Sequence, residues 1–137
     1  MTSSVEFATE RRRASGGIPA EEEYRFSRAV RVGDRVLVSG CPAIGPDGHL
    51  DPALKGDMYG QCRVAIEMIE KVLSDLDSSL DHVVRANFYI TDAEKGADAV
   101  HAMRDFLGRA RPTATLVGTP FLFGPDFLVE IEVEAVD

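Results

Sequence analysis

The sequence predicts an α+β domain in which two helices pack on one face of a mixed β-sheet, with elements in the order β-β-α-β-α-β-β. Three stretches carry that reading. Residues 127–135 alternate strictly, with Phe127, Val129, Ile131, Val133 and Ala135 on one side and Leu128, Glu130, Glu132 and Glu134 on the other. This is the period of a strand with one apolar face. Residues 57–76 repeat Met58, Cys62, Ala65, Ile66, Ile69, Val72, Leu73 and Leu76 at the spacing of an amphipathic helix. Gly33-Asp34 separates two short strand-like runs, and a two-residue connection of this kind favours a hairpin of type I′ or II′.

The chain of 137 residues is long enough for one domain with a two-layer core. Residues 1–24 show little periodicity and end in Glu21-Glu22-Glu23, so they read as an extended, partly ordered arm ahead of a single domain at 25–137. Strands are expected at 26–32 and 35–39. Four glycines and three prolines then mark 40–56 as a long surface loop, the kind that is often functional. The helix at 57–76 takes Asp57 as its N-cap and Glu67 with Lys71 as an i,i+4 pair. Residues 83–90 resume a strand with Val84, Ala86, Phe88 and Ile90 on one face. A second helix at 94–108 sets Val100, Met103, Phe106 and Leu107 on one side, with His101 beside that stripe. Pro112 limits continuation of the helix and biases Arg111 to extended geometry, which predicts a strand at 113–117.

Charge and composition narrow the chemistry. A net charge of −8 repels nucleic-acid phosphates unless a local basic patch intervenes. The one cluster, Arg11-Arg12-Arg13, is followed by Ala14-Ser-Gly-Gly-Ile-Pro19 rather than an apolar stretch, so it reads as a solvated tail and not an export signal. No apolar run approaches the roughly 18 residues of a membrane span. His49, His82 and His101 are scattered without metal-ligand spacing, and no metal site is expected. Cys41 and Cys62 form neither a disulfide framework nor a metal pair, which suits a reducing cytoplasm. Cys62 falls on the apolar helix face, whereas Cys41 follows a glycine at the start of the predicted loop and is the thiol of greater interest.

Glu130, Glu132 and Glu134 occupy one strand face at intervals of roughly 6 to 7 Å. They form a solvated outer face, or else line a cleft in which a desolvated carboxyl gains a raised pKa suited to general acid or base work. A mixed sheet with helices on one side leaves this carboxylate face open and invites oligomerisation.

In this order and spacing, several segments resemble the RidA family, also called the YjgF or L-PSP family. They are Ser27-Arg-Ala-Val-Arg-Val-Gly-Asp34, Val36-Leu-Val-Ser-Gly40, Leu80-Asp-His-Val-Val-Arg85, Tyr89-Ile-Thr-Asp92, Arg111-Pro112 and Leu128-Val-Glu-Ile-Glu132. The resemblance spans nearly all of 26–136 and implies a chorismate-mutase-like fold assembled as a homotrimer with clefts between neighbouring subunits. It also implies cofactor-free hydrolysis of reactive imines and enamines to keto acids and ammonia. Other members are described as endoribonucleases or translation inhibitors, a role that the acidic balance here disfavours.

In the deaminase members an arginine on the penultimate strand clamps the substrate carboxylate, and a glutamate on the last strand orients water. The resemblance places Glu130 at the glutamate. It places Ala114 at the arginine, Leu116 at a cysteine, Phe26 at a tyrosine and Val100 at an asparagine, so four polar cleft groups are replaced by apolar ones. Loss of a charge-assisted clamp costs about 1.5 to 3 kcal/mol per bond. The usual 2-imino acid deaminase activity is therefore expected to be weak, and the cleft to suit a larger, less anionic small molecule. Gly40, Cys41 and Thr115 complete the expected ligand-binding set, with Phe26 and Leu116 as apolar walls. Arg28 and Arg111 are the arginines that could stand in, although Arg111 is three residues from Ala114 and so on the opposite strand face. A non-enzymatic binding protein is the remaining alternative.

Overall fold

A computed structural model describes residues 10–137 of the chain. Nine main elements follow in order: β1 (Arg11–Ala14), α1 (Pro19–Glu23), β2 (Ala29–Val32), β3 (Arg35–Pro42), α2 (Met58–Asp75), β4 (Val83–Ile90), α3 (Gly96–Leu107), β5 (Thr113–Gly118) and β6 (Val129–Val136). The strands form one sheet in the order β1-β2-β3-β6-β4-β5. Every neighbouring pair is antiparallel except β4 and β5, which run parallel. A parallel pair needs a crossover, and α3 supplies it. The expected mixed sheet with two main helices on one face is the observed architecture.

The core lies between that sheet and α2 with α3. Val36, Val38, Phe88, Ile131 and Val133 project from the sheet toward Cys62, Ile66, Ile69 and Leu73 of α2. Asp57 caps α2 as expected, its carboxylate accepting from the Gly60 N–H at 2.9 Å. Glu67 pairs with Arg63 instead of Lys71, which turns to Asp75. Both are i,i+4 pairs on an exposed surface, where the choice of partner changes stability little.

The Gly33-Asp34 hairpin forms as expected, with Val32 opposite Arg35. Gly33 has φ +60° while Asp34 stays outside the left-handed region, the pattern of a type II′ turn. Other expectations need correction. Residues 1–9 of the predicted arm lie outside the described residues, but Arg11–Ala14 pairs with β2 as an edge strand, and Pro19–Glu23 is a short helix. The arginine cluster is therefore a strand and not a tail, with Arg12 bonded to Asp77 at 2.9 Å.

Strand β3 runs on to Pro42, so Cys41 sits in the sheet and not in the loop. Val84 is exposed where an inward face was expected, because the β4–β6 register shifts between Val83 and Arg85 and Val83 turns inward instead. On α3, Ala99, Ala102 and Leu107 are the buried residues, and Val100 faces outward. Small residues let the helix approach the sheet, and a reading weighted toward large apolar residues misses them.

Candidate functional site

The three carboxylates of β6 share a face but not an environment. Glu134 is paired with Arg35, whose Nε donates at 3.0 Å. Glu132 accepts from the Tyr89 hydroxyl at 2.6 Å and from Asn87 Nδ2 at 3.0 Å. Glu130 accepts no side-chain or backbone hydrogen bond among the described residues. The register explains the gradient. Glu130 lies across from Pro42 on β3 and Tyr89 on β4, and the Tyr89 hydroxyl is already committed to Glu132. Beside it is Gly40, where a Cβ would come within 2.9 Å of the Glu130 carboxyl carbon. Only a glycine leaves room for that carboxylate.

Glu130 is half-buried. Its desolvation raises its pKa above the ordinary carboxylate value, the Arg28 guanidinium pulls in the opposite direction, and the Glu132 charge adds to the rise. It borders two openings. The larger is a cleft of about 950 Å³ whose walls include Tyr24, Phe26, Arg28, Phe123 and Phe127. The smaller, about 450 Å³, is bounded by Gly40, Tyr89, Thr119, Phe121 and Glu132. A large, mostly apolar concavity with a few convergent polar groups is the form that ligand sites take.

Arg28 is the cation of this region. It is 4% exposed, and a buried guanidinium requires partners. Nε pairs with Glu21 at 3.3 Å, Nη1 donates to the Gly40 carbonyl at 2.7 Å, and Phe26 lies over the guanidinium at 5.4 Å. The Gly40 carbonyl is available because the β3–β6 ladder shifts register between Val38 and Cys41. Glu21 is held in turn by Ser15 Oγ at 2.8 Å and the Gly16 N–H at 3.0 Å. The segment read as an arm thus builds one wall of the cleft.

Other site candidates lie elsewhere. Val100, Ala114, Thr115 and Leu116 gather with Phe88, Ala99 and Met103 around a separate hollow of about 160 Å³ between α3 and β5. Within this single chain they do not border the openings that contain Glu130. Cys41 is fully buried, and burial pushes its thiol up to about 11 despite the nearby Arg28. It is a core side chain and not a nucleophile at neutral pH. Cys62 is likewise a core thiol, pushed up to about 12. Arg111 precedes β5 with φ +49°, so the strand-face reasoning does not apply to it, but it borders neither opening of Glu130. Among the described residues no cluster of histidine, cysteine and carboxylates is placed to hold a metal, and no helix is long and apolar enough to cross a membrane.

The sequence gives no site role to Glu21 or Tyr89, and of the aromatic wall it marks Phe26 alone. The alternation of 83–90 places Tyr89 on the carboxylate face, so that contact was within reach. Nothing local to Glu21 announces a buried carboxylate.

Comparison with known proteins agrees with the fold. The family model described as Endoribonuclease L-PSP matches residues 18–137. An uncharacterised protein of Streptomyces coelicolor is 32% identical over 125 residues, covering 90% of each chain. The RutC family protein YjgH of Escherichia coli is 28% identical over 111 residues, covering 80% of this chain and 82% of its own. Among solved structures, Rv2704 of Mycobacterium tuberculosis, of the YjgF/YER057c/UK114 family, superposes with a TM-score of 0.83. It is 31% identical, with 93% of this chain and 100% of that chain covered. E. coli TdcF with bound serine has a TM-score of 0.72 at 23% identity, covering 82% and 87%, and shows the shared fold.

Proposed function

The chain belongs to the RidA/YjgF family, matched by the Endoribonuclease L-PSP model over 18–137, and from that premise we propose that it is a divergent member binding a small carbonyl, imine or enamine compound beside Glu130. The observation that carries this reading is the unbonded, desolvated Glu130 carboxylate at the mouth of an aromatic cleft. Glu132 is held at Oε1 by the Tyr89 hydroxyl and Asn87 Nδ2, whereas both oxygens of Glu130 are open to a ligand among the described residues. The serine bound by E. coli TdcF supports a small-molecule role for the shared fold.

In the chemistry proposed, Glu130 accepts a proton from a water positioned against an imine carbon. The water adds there, the resulting carbinolamine loses ammonia, and a carbonyl product remains. A base with a raised pKa is better matched to neutral pH than an ordinary carboxylate. No cofactor is required.

The assembly proposed is a homotrimer with cytoplasmic location. Its support is the open sheet face and exposed apolar side chains, among them Leu37, Leu116, Val117 and Phe121. In such a trimer the Val100–Ala114–Leu116 hollow of one copy can meet the Glu130 cleft of the next, making the two groups of site residues one site. With alanine at position 114, turnover of small 2-imino acids is slow.

The test is ammonia and keto-acid release from freshly generated 2-iminopropanoate and 2-iminobutanoate, with light scattering on the same samples. The expected result is a trimer whose release, at most modestly above the spontaneous rate, disappears in Glu130→Ala. Release that is rapid and unchanged in Glu130→Ala would overturn the role given to this residue.

A further inference from the structure

We propose that Arg28 is the anion anchor of this cleft, and that the ligand is a 2-oxo or 2-imino acid carrying a bulky aromatic or branched apolar group. The inference rests on the Glu130 reading above and adds to it the identity of the anchoring residue and the shape of the ligand.

The hydrogen-bond inventory of Arg28 points there first. Nε is taken by Glu21 and Nη1 by the Gly40 carbonyl, with Cys41 Sγ also within 3.7 Å. Nη2 has no partner among the described residues. Among those residues no buried side-chain nitrogen or oxygen lacks a partner, so Nη2 keeps its contact with solvent, and Arg28 borders the cleft. A guanidinium that is almost wholly buried yet keeps one N–H₂ edge open is a donor held in place for an acceptor that comes from outside.

Electrostatic balance is the second point. Glu21 faces Arg28, but its carboxylate is also engaged by Ser15 Oγ and the Gly16 N–H. Its charge is shared, and Glu21 acts as a positioning residue that fixes the guanidinium plane. Glu130 is close enough to feel the Arg28 charge without forming an ion pair. A 2-iminium acid carries the complementary pair, a carboxylate for Arg28 and a protonated nitrogen for Glu130. A plain cation would meet the repulsion of Arg28, and a 2-oxo acid keeps the carboxylate for Arg28 while giving up the Glu130 contact.

Size is the third point. A cleft of about 950 Å³ walled by Tyr24, Phe26, Phe123 and Phe127 is far larger than a three-carbon imino acid fills. Apolar surface left wet contributes nothing to binding. A phenyl or branched alkyl group on the ligand occupies the aromatic wall while its carboxylate reaches Nη2 beneath Phe26.

The anchor therefore comes from the residue just ahead of β2, at the opposite side of the proposed site from Ala114. A positive charge absent from one wall is supplied by the other.

The test measures binding calorimetrically with phenylpyruvate, phenylacetone and pyruvate as probes, on the intact chain and on Arg28→Gln and Arg28→Lys. Phenylpyruvate is expected to bind at least tenfold more tightly than pyruvate, which lacks the ring, and than phenylacetone, which lacks the carboxylate. Arg28→Gln is expected to lose that carboxylate preference while leaving phenylacetone binding unchanged, and Arg28→Lys to fall between. Equal binding of phenylpyruvate and phenylacetone by the unaltered chain would overturn the proposal with no variant needed. So would an undiminished phenylpyruvate affinity in Arg28→Gln. Glu130→Ala separates this inference from the reading beneath it: phenylpyruvate binding that persists while imine turnover is lost supports both, imine turnover that persists in Glu130→Ala overturns the Glu130 reading, and Glu130-dependent turnover without Arg28-dependent binding overturns the anchor alone.

Discussion

The cleft beside Glu130 and the hollow beside Ala114 lie on the same sheet, yet one concentrates charge and the other has none. Around Glu130 stand a buried guanidinium, a second carboxylate and a phenol. Around Ala114 stand Phe88, Ala99, Val100, Met103 and Leu116, with Thr115 the one polar side chain. Buried charge is costly unless paired and hydrogen-bonded, so a fold retains it where bonds are supplied, and here they come from Glu21, the Gly40 carbonyl and the Ser15–Gly16 turn. In the function proposed, the apolar hollow shapes a ligand and the charged cleft acts on it.

Removing the support under Arg28 is the harshest way to break this contrast. Glu21→Ala leaves a guanidinium with little exposure and no carboxylate partner, and breaking such a pair costs about 3 to 5 kcal/mol. Urea unfolding of this variant should show that loss. Ala114→Arg, on an exposed position of the edge strand β5, should stay within about 0.5 kcal/mol. The same Ala114→Arg change should raise ammonia release from 2-iminopropanoate by about tenfold, because it restores one charge-assisted bond to the carboxylate.

Thiol chemistry sharpens the contrast next. Cys41 lies beside the charged cleft but points into the core, and with its thiol pushed up to about 11 from an ordinary 9.0 it should be alkylated about a hundredfold more slowly than a free thiol at pH 8. Mass spectrometry after timed iodoacetamide exposure reads this directly. Rapid native alkylation would mean that the β3 bulge opens.

The sequence and the structure part company where side chains are positioned by register and not by pattern. Helix α2 and strand β6 were legible because a period of 3.6 or of two, sustained over many residues, admits one burial pattern. The bulges were not, since Val83, Val84 and the Ser39-Gly40 pair carry no local sign of where a ladder shifts. Cys41 was misread for that reason. Glu130 was legible as one of three equivalent carboxylates. Its distinction from Glu132 and Glu134 depends on Pro42, Gly40 and Tyr89 lying opposite, which is information about pairing across more than 40 residues of chain. The Glu21–Arg28 pair was hidden because an acidic run before a strand normally marks a solvated face.

The smallest effect concerns stability and pH. The folded-state pKa of Glu130 lies above its ordinary value, so its ionised form is disfavoured in the fold. Its contribution to stability is present below the ordinary carboxylate pKa and is lost as pH rises through the raised one. Glu130→Gln should therefore raise the Tm slightly at pH 7 and leave it unchanged near pH 3. A variant less stable at neutral pH would show that Glu130 is paired after all.

The claim that the charged cleft carries the chemistry is tested most directly by hydrolysis of a bulky imine. The imine of phenylpyruvate, generated in place from phenylalanine by an amino-acid oxidase, should release ammonia faster with the protein than without it. Glu130→Ala, at the same oligomeric state, should lower that excess by about 10² or more, the usual share of a general base. An excess rate that survives Glu130→Ala undiminished would contradict the assignment of catalysis to this side of the sheet.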